Sequence, residues 1–412
     1  MSKNRLFAGS VLAVAALLSV GACGSSANSS VGAQVKTVLL ANVEDLTGPA
    51  SVYGIPESNG AQLAVRQINA AGGIKSLGGA KLVLKRFDTA SNVDAGVTQA
   101  QAAVNAGAAA VIGGEISDTV LAGTNVTQRA GIPWLDTGGT ASKIHQRGYN
   151  TVFQVTYDSA QFETAVFDTV EQASRQLGIA TPTLAIPYSQ SSYGQESLQA
   201  FLQANSGKYK VRCEFSYPLT TTDFSSVAAR AAACGATDIV NLGYPTDGVA
   251  LSRLFATQFH PRIKVWAATG MDPGTAISQL GSAANGALTI AAPAPGEKGV
   301  TAAFDKEFAA YQARFHAAPT VTSWAGYAAV HFIAAALERA GSTSGAKLTA
   351  ALHRVTLTQG DGDVYSYPGT LSFTAQGTLR TAPAIVAEIQ NDKIVPVWPP
   401  AYDKSPLAAY PF

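Results

Sequence analysis

The stretch PWLDTGGTA, Pro133 to Ala141, decides between two folds. Asp136-Thr137-Gly138 after two bulky apolar residues has the form of a catalytic loop in which two carboxylates share one proton, and that chemistry needs a β-rich fold with a facing twin. As the end of a buried strand, the same residues are a turn into a helix, with Gly138 and Gly139 letting backbone approach closely and Thr140 offering a hydroxyl. The sequence on either side chooses between them.

The one echo of the tripeptide, RFDTAS at Arg86 to Ser91, lacks its glycine, because Ala90 follows Thr89. Around both stretches, short apolar or β-branched runs alternate with longer helical patterns. TVLLANV, KLVLKRF, AAVIGG and IPWLDT read as strands, and GAQLAVRQINAAGG between them has apolar residues three and four apart and ends on Gly72-Gly73. After TVFQVTYD the pattern restarts with TLAIPY, YKVRCEF, TDIVNLGY and IKVWAAT. Such βαβα alternation gives a mostly parallel, doubly wound sheet, here twice, so the fold class expected is α/β with two Rossmann-like lobes. Asp88 and Asp136 then sit on strands of a parallel lobe, and a hydrolase using Asp136 remains only as the rival from another class.

With 47% hydrophobic and 13% charged residues, the 412-residue chain has apolar material for two cores. Its net charge of +1 comes without runs of like charge, which gives nucleic acid no electrostatic footprint. The N-terminus, MSKNRLFAGSVLAVAALLSVGAC, places Lys3 and Arg5 before an uncharged apolar run from Leu6 to Ala22, the pattern of an export signal. It ends at Cys23 in a stretch resembling a bacterial lipobox, so residues 1–23 are expected to be a lipoprotein signal, with Cys23 acylated in the bilayer and 24–35 a flexible tether. An ordinary cleaved signal with an incidental cysteine is the alternative. In the oxidising compartment that export implies, Cys213 and Cys234 are left to pair, or to remain as two buried thiols.

Six loops follow strands and precede helices with mixtures of Gly, Ser, Thr and Tyr: EDLTGPASVYG, GGEISDT, DTGGTAS, YSQSSYGQ, GYPTDG and ATGMDPG. Helix starts reached from the carboxyl ends of parallel strands suit a small anionic ligand. No dinucleotide fingerprint, P-loop or nucleophile elbow is present, and His145, His260, His316, His331 and His353 share no metal-ligand spacing. Neither cofactor nor metal is expected.

From about Thr37 to about Val397 the chain resembles the leucine/isoleucine/valine-type solute-binding proteins of ABC transporters. The stretches that carry the resemblance include LTGPASVYG, GAQLAVRQINAAGGI, AAVIGGEISD, AGIPWLDTGGTA, YSQSSYGQESLQAF and SWAGYAAVHFIAAAL. It implies the type I periplasmic-binding-protein fold, two lobes joined by a three-segment hinge and closing on a ligand. The N-terminal lobe would comprise 36–155 and 292–380, and the C-terminal lobe 156–291 and 381–412. It also implies a ligand set: Tyr53, Ser117, Gly138 and Thr140 from the first lobe, Tyr193, Tyr244 and Thr269 from the second. Hydroxyls and helix-start amides would hold a carboxylate, and tyrosines would cover the rest.

One position departs from the family's pattern. Where amino-acid-binding members carry a Glu for the ligand's ammonium, this chain has Thr269. Asp272 is one substitute within the same loop; Asp118, Glu115 or Asp247 could serve from other loops; or the ligand has no ammonium and is a small carboxylate, amide or polyol. The expectation is a monomeric, lipid-anchored, extracytoplasmic solute-binding protein serving a membrane permease, on the outer face of the cytoplasmic membrane. A ligand-sensing receptor of the same fold is the alternative.

Overall fold

A computed structural model describes residues 35–295, 300–358, 369–381, 384–399 and 406–412. Cys23 and residues 24–34 of the expected tether lie outside the described residues.

The first sheet uses β1 (Thr37–Glu44), β2 (Lys81–Asp88), β3 (Ala110–Ile112), β4 (Trp134–Asp136) and β5 (Val152–Gln154), in the order β2-β1-β3-β4-β5, all parallel. Between them run α1 (Ser51–Ala70), α2 (Val93–Asn105), α3 (Ser117–Ala130) and α4 (Lys143–Gln146). β3 and β4 are buried along their whole length, as central parallel strands covered on both faces must be, and the edge strand β5 is buried as well. Asp88 and Asp136 end β2 and β4, with two strands between, so their backbones stand ~14 Å apart and their carboxyls cannot share a proton.

The chain then crosses through α5 (Ser159–Gln176) into the second sheet. Here β6 (Thr183–Ser189), α6 (Ser192–Asn205), β7 (Lys210–Tyr217), α7 (Ser225–Ala233), β8 (Asp238–Asn241), α8 (Pro245–Leu254), β9 (Val265–Ala268), α9 (Pro273–Leu280) and β10 (Ala287–Ile290) repeat the alternation. A second crossing leads to α10 (Ala302–Phe315), α11 (Val321–Ala340), α12 (Gly345–Leu352) and the hairpin β11 (Thr356–Thr358) and β12 (Thr370–Ser372), all on the side of the first sheet. A third returns the chain as β13 (Val386–Gln390) and β14 (Lys393–Trp398), which complete the order β14-β13-β10-β9-β8-β6-β7. Those two are antiparallel, joined by Asn391-Asp392 with both residues at positive φ, the geometry a two-residue hairpin turn requires.

One feature differs from the sequence-based expectation. α1 begins at Ser51, not near Gly60, and continues through Gly54, Pro56 and Gly60, all of which look like helix breakers in sequence. Close packing explains the glycines: a methyl built on Gly54 would stand 2.2 Å from the Asp45 carbonyl oxygen, and one on Gly60 1.8 Å from that of Ser323 in α11. The chain's end also packs, since Leu407 and Tyr410 are buried and the Tyr410 amide donates to the Lys264 carbonyl at 2.8 Å. Cys213 on edge strand β7 and Cys234 just after α7 are joined in a disulfide, their Cα atoms 6.2 Å apart.

Candidate functional site

Loops leaving the carboxyl ends of both sheets enclose a cavity of about 70 Å³, room for roughly five water-sized groups. All seven residues of the expected ligand set line it. From the first-sheet side come Tyr53 in the first turn of α1, Ser117 at the start of α3, and Gly138 and Thr140 in the turn after β4. Tyr193 opens α6, Tyr244 is the N-cap of α8, and Thr269 follows β9.

Hydrogen bonds fix these groups. Ser117 Oγ accepts the Ala141 amide at 3.3 Å, which leaves its proton for another acceptor. The Thr140 carbonyl accepts from the Ser159 hydroxyl at 2.9 Å and from the Ser159 amide. Tyr193 and Tyr244 meet edge to face with centroids 5.3 Å apart. Tyr53 Oη donates to the Gly270 carbonyl at 3.0 Å, so the two sides touch across the cavity. The Thr269 hydroxyl donates to the Asn241 carbonyl at 3.0 Å and lies 3.0 Å from Tyr193 Oη, both of its roles already taken.

Asp136 does not line the cavity. Its Oδ1 accepts the Gly139 amide at 2.8 Å and the Gly138 amide at 3.3 Å, which makes it the brace of its own turn. Burial pushes its pKa well above the ordinary carboxylate range, against the pull of those two amides. The Gly138 amide is therefore directed at Asp136, while the residue itself borders the space.

The proposed charge partners also sit elsewhere. Asp118 accepts the Ser192 amide at 3.1 Å and the Ser192 hydroxyl, tying α3 to the start of α6. Asp272 caps α9, accepting the Thr275 amide at 2.7 Å, and borders a neighbouring cavity of about 610 Å³. Asp247 is held by the Tyr217 hydroxyl and the Tyr244 amide, each at 2.8 Å. Among the described residues Glu115 is the one carboxylate in the cavity wall: 8% exposed, with Oε1 buried and unpartnered among them. A methyl on Gly138 would stand 2.2 Å from its Oε2, so the glycine makes room for the carboxylate. Burial, then the negative charges of Glu57, Asp45 and Asp136, push the Glu115 pKa well up.

Other wall residues carried no sequence signal of their own. Tyr157 and Phe162, rings 5.1 Å apart, come from the first crossing, where TYD reads as a strand end. Thr322 looks like part of a helix start, yet its hydroxyl reaches the Tyr53 carbonyl at 2.9 Å.

Two wound sheets joined by three crossings, with a lined cavity at their facing loop ends, define an α/β protein that encloses a small ligand. A family model described as periplasmic binding protein matches residues 37–393, and the chain belongs to that family. Among curated relatives, it is 28% identical to Leu/Ile/Val-binding protein homolog 7 of Brucella melitensis over 304 residues, 72% of this chain and 69% of that protein. The Leu/Ile/Val-binding protein of Citrobacter freundii is 33% identical over 198 residues, covering 47% and 51% of the two chains. Its fold is similar to that of the branched-chain amino acid transporter substrate binding protein LivJ from Streptococcus pneumoniae in complex with isoleucine, at a TM-score of 0.76 and 21% identity over 88% of this chain and 99% of that one. A Rhodopseudomonas palustris ABC transporter solute-binding protein in complex with benzoate matches at 0.75 and 16%, covering 88% and 95%.

Proposed function

We propose that this protein is the solute-binding component of an ABC importer, held at the outer face of the cytoplasmic membrane through acylated Cys23 and capturing one small polar solute, an amino acid or a related carboxylate or amide. The observation that carries the reading is the cavity walled from both sheets by Tyr53, Ser117, Thr140, Tyr193, Tyr244 and Thr269. Family membership and the names of the relatives point the same way.

In this reading the Ser117 hydroxyl, at the start of α3 where backbone amides favour negative charge, and the Thr140 hydroxyl in the turn after β4 take a carboxylate. The tyrosines supply apolar area with a polar tip. The solute docks on the first-sheet side, and a hinge motion of the three crossings brings Tyr193, Tyr244 and the Thr269 loop over it. No bond is made or broken. A closed, monomeric, loaded protein is what the permease receives.

The chain from Gly24 onward keeps the whole compact unit Val35–Phe412 and can be screened by thermal unfolding. A solute at a hundredfold excess over its dissociation constant should stabilise it by ~2.7 kcal/mol. A panel of amino acids, small carboxylates, amides and polyols of which none raises the melting temperature would sink the reading.

A further inference from the structure

We propose that Glu115 supplies the negative charge that binds a cationic nitrogen of the solute, so the ligand class is an amine-bearing carboxylate and the ammonium sits against the first-sheet wall rather than against the loop after β9. The inference rests on the solute-binding reading above and names its ligand class.

Elimination and surroundings both lead there. Each of the other acids on the neighbouring loops is engaged: Asp118 on Ser192, Asp247 on Tyr217 and Tyr244, Asp272 on the amide of Thr275. Thr269, in the loop where a carboxylate would otherwise stand, has its hydroxyl occupied. Glu115 lines the cavity with a buried oxygen that no partner among the described residues satisfies, an expensive arrangement unless a ligand completes it. Further acids face it from the adjacent elements: Glu44 and Asp45 at the end of β1, Glu57 from α1 and Asp136 from β4, with the Tyr53 hydroxyl also nearby. Arg86 acts on Glu57 and Arg147 on Asp136. Among the described residues no ion pair reaches Glu115, and no three such side chains converge as ligands for a metal. Once ionised, Glu115 in this wall repels a lone carboxylate and attracts a cation. Tyr157 and Phe162 add aromatic surface on which an ammonium is also stabilised.

The proton balance follows. In the empty site burial and its acidic neighbours disfavour the charged form of Glu115. An entering ammonium keeps its own proton and stabilises the carboxylate, so below that raised pKa binding releases a proton from Glu115. Affinity for the amine therefore rises with pH until Glu115 ionises unaided.

The test uses the chain from Gly24 and matched probes: L-leucine, L-valine and L-phenylalanine, each beside its deaminated counterpart (4-methylpentanoate, 3-methylbutanoate and 3-phenylpropanoate), with benzoate as an unrelated carboxylate. Titration calorimetry in buffers of different ionisation enthalpy reads affinity and proton release together. The expected result is binding of at least one amine, its counterpart about a hundredfold weaker or worse. Glu115→Gln, an isostere without the charge, should weaken the amine by about tenfold or more and abolish proton release. Glu115→Asp should retain the preference for the amine and the proton release. Equal binding of amine and counterpart by the wild type, or unchanged amine affinity and proton release in Glu115→Gln, overturns the inference while leaving a solute-binding protein in place. Binding of no probe, together with no stabilisation by the broader panel, removes the solute-binding reading and this inference with it.

Discussion

Glu163 on α5 is fully buried beside Tyr193, and burial raises its pKa from 4.5 to about 8; Glu57 is raised to about 7, again by burial first, with the Asn42 hydrogen bond pulling back. A folded-state pKa above the unfolded one means that the native chain holds protons the unfolded chain has released. The contribution to stability is complete below about pH 4.5 and is lost as pH rises through the folded values, so the solute-free protein should lose stability steadily between about pH 5 and pH 8. Glu163→Gln keeps the shape and removes the titration; at pH 8 it should be more stable than the wild type by on the order of 2 kcal/mol, and at pH 5 nearly equal to it, as denaturant unfolding at the two pH values would read. None of this was legible in the chain. The expected ligand set came from the family resemblance of GP-x-x-x-YG, IGGEIS and the turn after PWL, and its seven residues border one cavity. Glu115 was one candidate among several, since its weight comes from five acids meeting from separate strands and helices. Asp136 shows the converse: a conspicuous tripeptide whose aspartate braces a turn.

α1 and α11 show where local patterns mislead. Both are 20 residues long, and their crossing depends on the absence of side chains: a methyl on Gly326 would stand 2.4 Å from the Glu57 carbonyl oxygen, just as one on Gly60 would press on Ser323. Propensity treats Gly54, Pro56 and Gly60 as punctuation, whereas the Asp45 carbonyl makes Gly54 necessary and contact with a helix more than 260 positions away makes Gly60 necessary, and no single sequence displays that second partner. Gly60→Ala should destabilise the fold by about 2–3 kcal/mol despite its better helix propensity, read as a lowered melting temperature. The β13–β14 hairpin was legible in principle, since IVAEIQ and KIVPVW flank Asn391-Asp392, but its place beside β10 was not. At the other edge, the disulfide closes a 21-residue separation between β7 and α7. Removing it as the double Cys213→Ser, Cys234→Ser variant should cost about 3 kcal/mol, and reductant should lower the wild-type melting temperature toward that of the variant.

Across the molecule, the two sheets meet at a few polar contacts around the cavity mouth. The chief ones are Asp118 with Ser192, a carboxylate at a helix start, and Tyr53 with Gly270. These bonds exist only while the two sides touch, so they belong to the energy of closing. Asp118→Ala should leave the solute-free melting temperature nearly unchanged and weaken solute binding by about tenfold to a hundredfold, as titration calorimetry would record. The alternation of strand and helix was enough to foresee two wound sheets; that Asp118 bonds Ser192 across them instead of lining the cavity depends on how they face each other, which no local pattern encodes. The most direct test of the central claim is a crystal structure of the protein with the solute that stabilises it most. The account predicts solute density between Ser117 and Thr140 on one side and Tyr193 and Tyr244 on the other, with a nitrogen within hydrogen-bond distance of Glu115. Solute bound instead in the neighbouring space beside Asp272, with the cavity at Ser117 unfilled, would contradict it.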